Sequence, residues 1–251
     1  MKRPIDLSII IPNYNSGNLL ENSLKSIFSD PCPFSFEVLI LDNLSKDDPA
    51  AILGNFPNKP IRFYSKRDEG VYDAMNEGIK LAKGNWLFFL GAGDEVIMPN
   101  WHEIELNSNL SMIYGNVLLV EKGELYDGEF DLLKLMHQNI NHQAIFYNHQ
   151  IFEEIGFYNL KYKIVSDYFF NLKVFLRFRK QVLFYPVVIS KFLGGGLSDS
   201  TRDDLFHNHK LKILANMILN NISFYNIFCF FKYIQSDLVL RVRYILKKAK
   251  A

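Results

Sequence analysis

Residues 66–95 read KRDEGVYDAMNEGIKLAKGNWLFFLGAGDE, and their pattern decides the fold class. A polar loop, Arg67, Asp68, Glu69 and Gly70, leads into a helical pattern carrying Asp73 and Asn76. A turn at Lys83 and Gly84 follows, then an apolar run from Trp86 to Leu90 that ends among small residues at Asp94 and Glu95. Open α/β sheets bind ligands beyond the carboxyl ends of their strands, where acids grip hard cations or sugar hydroxyls. An ordinary strand-to-helix turn with a capping Asp has the same local pattern, so the rest of the chain decides between the two.

Working outward, residues 5–11 form an apolar, β-rich run of the kind buried in a parallel sheet, stopped by Pro12. The turn NYNSGN then opens a helix, capped by Ser16 or Asn18, with Leu19, Leu20, Leu24, Ile27 and Phe28 on one face. A second strand, 36–41, ends at Asp42, and NLSKDDP begins a short helix through Leu53. A third strand covers 61–64, and helix 71–82 and strand 86–90 complete the series. This βαβαβαβ alternation predicts a Rossmann-like, doubly wound parallel sheet with right-handed crossovers. No GxGxxG follows the first strand and no GxxxxGK[ST] occurs, which argues against a dinucleotide-binding dehydrogenase and a P-loop NTPase. Beyond residue 110 the pattern is mixed. A hairpin is expected over 112–120 and 123–126, helices over 130–137, 150–155 and 166–178, and strands over 143–147 and 181–188.

A chain of 251 residues, 49% hydrophobic and 22% charged, buries a substantial core. Its net charge of +1 carries no message about nucleic acid, and none is expected as a partner. Cys32 and Cys229 stand alone, without the spacing of a disulfide framework or a zinc site. The first apolar run is too short for a signal peptide, and no run reaches the roughly 18 residues of a spanning helix, so cytoplasmic residence is expected. One large domain is expected over 1–202, with a helical extension over 203–251 that turns near 220–223. The extension combines ISFYNIFCFFKYI with Lys232, Arg241, Arg243, Lys247, Lys248 and Lys250 against one acid, Asp237. That composition suits a helix lying peripherally on an anionic membrane, and equally a helix packed on the domain or on a second subunit of a homodimer.

Several residues fall where the sheet puts a ligand edge. Asp42 ends the second strand with Ser45 three residues on, suited either to ribose or base contacts or to an Asx turn. Ser166 and Asp167 open a helix; Ser166 suits a cap, and Asp167 is a candidate general base. Tyr168 follows it, and His142 and Gln143 precede a strand that can line the same cleft. The run Gly194 to Gly196, with Leu197 and Ser198, offers backbone N–H groups to a phosphate.

The segments SIIIPNYNSGNLLENSLKSI, EVLILDNLSKDD, DEGVYDAMNEGIKLAKGNWLFFLGAGDE, NHQAIFY with FEEIGFYN, and KIVSDYFFNLKV fall in order across residues 5–200. Together they resemble the family 2 glycosyltransferases of GT-A fold, particularly bacterial enzymes of capsule, colanic-acid-like and O-antigen synthesis. The resemblance implies a mixed, mostly parallel nucleotide-binding sheet and inverting transfer from a nucleotide diphosphate sugar, a UDP-sugar above all, to a glycan or polyprenyl-linked acceptor. It implies that Pro12, Tyr14, Asp42 and Ser45 line the nucleotide pocket, and that Asp68, Asp73 and Asn76 border the ribose and diphosphate. Asp94 would hold Mg2+ or Mn2+, Asp167 would be the catalytic base, and His142, Gln143 and Tyr168 would meet acceptor or donor sugar. The chain departs from the family's fuller acidic motif: where DxDD is common it has Gly91, Ala92, Gly93 and Asp94. Two other readings remain open, a catalytically silent sugar-nucleotide-binding scaffold and a nucleotidyltransferase. The latter expects a basic, glycine-rich loop after the first strand, and NYNSGN has no Lys or Arg.

Overall fold

The computed structural model describes residues 5–194 and 203–248. The stretch Gly195 to Ser198 and the junction expected at residue 202 lie outside them. The described strands are β1 (Ile5–Asn13), β2 (Phe36–Asp42), β3 (Ile61–Ser65), β4 (Gly84–Phe89), β5 (Glu95–Val96), β6 (Met112–Leu119), β7 (Glu124–Tyr126), β8 (Ile145–Asn148) and β9 (Val182–Phe192). The helices are α1 (Asn18–Phe28), α2 (Pro49–Leu53), α3 (Val71–Leu81), α4 (Leu132–His137), α5 (Gln150–Ile155), α6 (Ser166–Phe178), α7 (Asp204–Leu219) and α8 (Phe224–Lys248).

The sheet order is β3-β2-β1-β4-β8-β6-β9-β5, with β7 paired to β6. The first four strands are parallel, as the alternation predicted. From β8 onward the sheet is mixed: β8 runs antiparallel to both β4 and β6, and β9 lies parallel to β6. Pro12 does not stop β1. The ladder continues through Pro12 opposite Leu41 to Asn13 opposite Asp42, because Asn13 still presents its carbonyl to the Asn43 N–H at 3.0 Å. Helix α1 begins without either expected cap: Gly17, at φ 51°, precedes it, and the Ser16 hydroxyl turns back to Asn13.

Alternate residues of the central strands feed two cores, one on each face of the sheet. Leu7, Ile9 and Ile11 face α1 and the short 3-10 turn at Met98–Glu103, while Ile10 and Leu39 face α3 and the larger helical layer. Between them Ser8 is fully buried and donates to Glu37 Oε1 at 2.8 Å; Glu37 also accepts from the Lys83 N–H and from Arg62. That junction has no room for a side chain at Gly84, where a Cβ would sit 2.4 Å from the Ser8 nitrogen.

Helices α7 and α8 bury their inner faces in the same core as α4 and α6. Phe206 of α7 is fully buried, its ring 5.2 Å from Tyr168 and 5.6 Å from Tyr162. Along α8, Cys229 and Tyr233 are buried, and Tyr233 stacks 4.8 Å from His137 of α4. Among the described residues no helix is long and apolar enough to cross a membrane. Because α7 closes a core instead of covering a surface, Phe206→Ala is expected to cost about 3–5 kcal/mol in denaturant unfolding. The exposed Phe224→Ala should stay within about 0.5 kcal/mol of the parent.

Candidate active site

The ends of β1, β2 and β3 are tied together at Asp42. Its Oδ1 accepts from Asn13 Nδ2 at 2.8 Å; its Oδ2 accepts from Ser65 Oγ at 2.6 Å and the Ser45 N–H at 3.1 Å. Burial alone would push the carboxyl up, but the hydrogen bonds from Ser45, Ser65 and Asn13 outweigh it and hold Asp42 below its ordinary range. Ser45 is committed to the same knot, accepting from the Asn15 N–H at 2.9 Å. Asp42 therefore shapes the joined ends of β1, β2 and β3 with most of its acceptor capacity used internally.

The turn before α3 comes next. Asp68 accepts from the Gly70 N–H at 2.8 Å, and Asp73 accepts from the Glu69 N–H at 3.0 Å, so the two carboxylates bracket the helix start. Burial, with Asp73 and Asp42 nearby, raises Asp68 above its usual range against the opposing Gly70 hydrogen bond. Gly70 has φ 124°, a backbone that side chains rarely adopt. Asn76 departs from its expected place. Its Nδ2 donates to the Tyr158 carbonyl and its Oδ1 accepts from the Tyr158 N–H, both at 2.9 Å. Although a residue three positions on shares a helix face with Asp73, the Asn76 amide is taken up by this backbone, where it clamps the segment leading to α6.

Beyond β4, the turn at Gly91 delivers Asp94 into the cleft. The Ser23 hydroxyl fixes this turn by donating to the Asp94 carbonyl at 2.7 Å. Asp94 Oδ1 accepts from the Leu193 N–H at 3.2 Å and Oδ2 from Gln143 Nε2. A Cβ at Gly91 would lie 2.7 Å from Asp94 Oδ2, so the glycine leaves room for the carboxylate. Gln143 is nearly fully buried, and its Oε1 has no hydrogen-bond partner. Among the described residues no three His, Cys, Asp or Glu side chains converge as a metal cage. With the Gln143 amide nitrogen facing Asp94, a hard cation such as Mg2+ held by that carboxylate would keep waters and take its remaining ligands from substrate phosphates.

Asp167, in the first turn of α6, sits across the cleft. Its Oδ1 accepts from the Tyr72 hydroxyl at 2.7 Å, its Oδ2 accepts from Asn139 Nδ2 at 2.8 Å, and His142 Nδ1 lies 4.0 Å from Oδ2. Ser166 does not cap α6; its hydroxyl donates to the Asn159 carbonyl at 3.0 Å. Tyr168 presents its ring to the cleft, while its hydroxyl donates away from it, to the Leu135 carbonyl at 2.7 Å.

These side chains line one cleft of about 1090 Å³, to which Pro12, Tyr14, Asp68, Asp94, His142, Gln143, Asp167 and Tyr168 all contribute. Asp42 and Asp73 open instead, with Asp68, Lys66 and Arg67, into an adjoining recess of about 60 Å³. Ser45 and Asn76 line neither. Sequence reading missed Asn13, Ser65, Tyr72 and Asn139. Asn13 and Ser65 follow from strand register, being the residues paired with Asp42 on either side; Tyr72 and Asn139 meet Asp167 only through tertiary packing.

The geometry agrees with known proteins. The sequence pattern described as glycosyl transferase family 2 matches residues 8–108. A PGL/p-HBAD biosynthesis glycosyltransferase of Mycobacterium bovis is 37% identical over 209 residues, covering 79% of this chain and 81% of that one; a Mycobacterium tuberculosis counterpart matches to the same extent. In structure, Staphylococcus aureus TarS 1–349 in complex with UDP-GlcNAc superposes with a TM-score of 0.73 at 16% identity, over 91% of this chain and 71% of that one. A mannosyltransferase of Pyrobaculum calidifontis in complex with GDP-Man and Mn2+ gives 0.58 at 12% identity, over 85% and 64%. The fold is thus GT-A-like, and the chain is a glycosyltransferase that belongs to glycosyl transferase family 2.

Proposed function

We infer that this glycosyltransferase inverts the anomeric centre, taking a sugar from a nucleotide diphosphate sugar, a UDP-sugar by preference, and passing it to a glycan or polyprenyl-linked acceptor of cell-surface polysaccharide synthesis. The observation that carries this reading is that one cleft is lined both by Asp94, in the turn after β4, and by Asp167, at the start of α6. The acceptor hydroxyl gives its proton to Asp167. Its oxygen forms the new bond to the anomeric carbon from that side, and the bond to the diphosphate breaks on the other side with its electron pair leaving on phosphate. Attack opposite the leaving group inverts the centre.

The diphosphate side needs positive charge as it departs. A Mg2+ or Mn2+ ion held by Asp94 would supply Lewis-acid stabilisation there, and Gln143 keeps that carboxylate aimed into the cleft. UDP complexes of a structural neighbour support UDP as the carrier, and the mycobacterial relatives, PGL/p-HBAD biosynthesis glycosyltransferases, support transfer to a biosynthetic acceptor. The outward face of α8 bears Phe224, Phe228, Phe231 and Leu238, all at least half exposed, and Lys232 lies among them. Such a face suits peripheral docking on an anionic bilayer, where a polyprenyl-linked acceptor resides.

Three outcomes follow. A screen of nucleotide sugars should find turnover that Asp167→Asn lowers by about 10²- to 10⁴-fold with UDP affinity retained; an active Asp167→Asn removes Asp167 as base, and binding of UDP without turnover of any sugar favours the silent scaffold. In calorimetry Mn2+ should bind weakly alone and strongly with UDP, and Asp94→Asn should abolish the metal's effect on UDP affinity. Phe228→Glu with Phe231→Glu should release the protein from phosphatidylglycerol vesicles; unchanged vesicle binding with a halved mass in solution would make the face a dimer contact.

A further inference from the structure

The Tyr72 hydroxyl lies 2.7 Å from Asp167 Oδ1 and also 2.7 Å from the Ile164 carbonyl oxygen. A phenol carries one proton, so it donates fully to only one of these acceptors at a time. Burial first, then the neighbouring Asp167 charge, push the phenol's own ionisation far up, so its proton stays in place at working pH. The other carboxylate oxygen has a fixed partner. Asn139 Nδ2 donates to it, and Asn139 Oδ1 accepts from Asn171 Nδ2 at 2.9 Å; Asn171 Oδ1 in turn accepts from the Tyr147 hydroxyl at 2.6 Å. Of the two hydrogen-bond donors on Asp167, Tyr72 is the one with an alternative acceptor.

Its place in the chain adds a second constraint. Tyr72 is in the first turn of α3, between Gly70 and Asp73, so it is fixed to the donor edge. Ile164, its other acceptor, is held from the opposite side: its N–H donates to Asp203, the residue capping α7, at 3.4 Å. One phenol thus joins the donor turn, the base and the segment anchored by the C-terminal helices.

We propose that Tyr72 is a positioning residue for the transfer reaction, donating to Asp167 while it is ionised and turning its proton to the Ile164 carbonyl once Asp167 has taken the acceptor's proton. The turn is a rotation about the phenol C–O bond. No proton leaves the phenol, and the phenol oxygen becomes free to accept from the newly formed carboxylic acid. The site is hydrogen-bonded in both states without displacing a heavy atom, and the base stays in register with the donor. This assignment rests on Asp167 being the base.

The test compares the full chain with Tyr72→Phe and with 3-fluorotyrosine placed at 72, a phenol that is the stronger donor. The readouts are kcat, KM and pH profile with the UDP-sugar that turns over fastest, with calorimetric UDP binding alongside. Besides Tyr72 from α3, the ionisable groups facing Asp167 are His142 from the turn before β8, Tyr126 from β7, Tyr147 from β8 and Tyr158 from the segment before α6. Each comparison is therefore repeated in a His142→Gln background. Losing a donor to the ionised carboxylate favours its protonated form, so Tyr72→Phe should lower kcat by about 10-fold or more and move the acid limb to higher pH. KM for the donor and UDP affinity should stay within about two-fold, and 3-fluorotyrosine should restore kcat and move the limb to lower pH. An unchanged kcat and pH profile in Tyr72→Phe, with Asp167→Asn inactive, overturns the role of Tyr72 and leaves the base standing. A kcat loss matched by lost UDP binding at an unmoved pH profile also overturns it, as damage to structure. An active Asp167→Asn instead overturns the base itself.

Discussion

The register that sets Asn13 opposite Asp42 and Asp42 opposite Ser65 is the constraint on which the cleft depends. A parallel ladder leaves its last residues short of partners, and here three strand ends satisfy one another through a single buried carboxylate. A one-residue slip would turn Asp42 to the other face of the sheet, exposing one core and leaving that carboxylate among apolar side chains. Apolar patterning forbids the slip, so packing deep in the sheet fixes atoms at its edge.

On that edge the wall that holds Asp68 and Asp94 is built almost entirely from pieces of the first four strands and their connections: the end of β1, the turn after β2, the start of α3 and the turn after β4. The wall that holds Asp167 is assembled from distant ones. Asp167 depends on Tyr72, ninety-five positions away, and on Asn139, which follows α4; α4 in turn is packed under α8. The two sides are separately supported, and they meet in the hydrogen bonds around one carboxylate.

This division explains what the sequence made legible. Strands β1 to β4, the helices between them, and Asp42, Asp68, Asp94 and Asp167 could be found because each lies at an element end, where periodicity stops and a polar residue begins. The direction of a side chain around a helix was less visible. Asn76 has the polarity of a ligand residue, yet both ends of its amide are taken up by the Tyr158 backbone. Ser166 has the signature of a cap and serves as a tie to Asn159 instead. The ring of Tyr72 belongs to the core, and only the position of the Ile164 carbonyl and Asp167 gives its hydroxyl a role. Of the final helices' possibilities, packing on the domain is what the inner face of α8 does, with Cys229 and Tyr233 buried, while Phe224 and Phe231 are exposed.

The parallel pairing of β6 with β9 joins Met112 to Val182 across the intervening β7, β8 and α4 to α6. Such a pairing closes a long loop before any of its contacts is formed, and loop closure of this kind slows folding. In the β1 to β4 half, β1–β2 and β2–β3 are bridged by single helices, but β1 and β4 also pair over a long span, Ile5 opposite Gly84. Each half of the sheet thus carries one long-range parallel closure, and neither wall of the cleft is complete until its distant strand has paired.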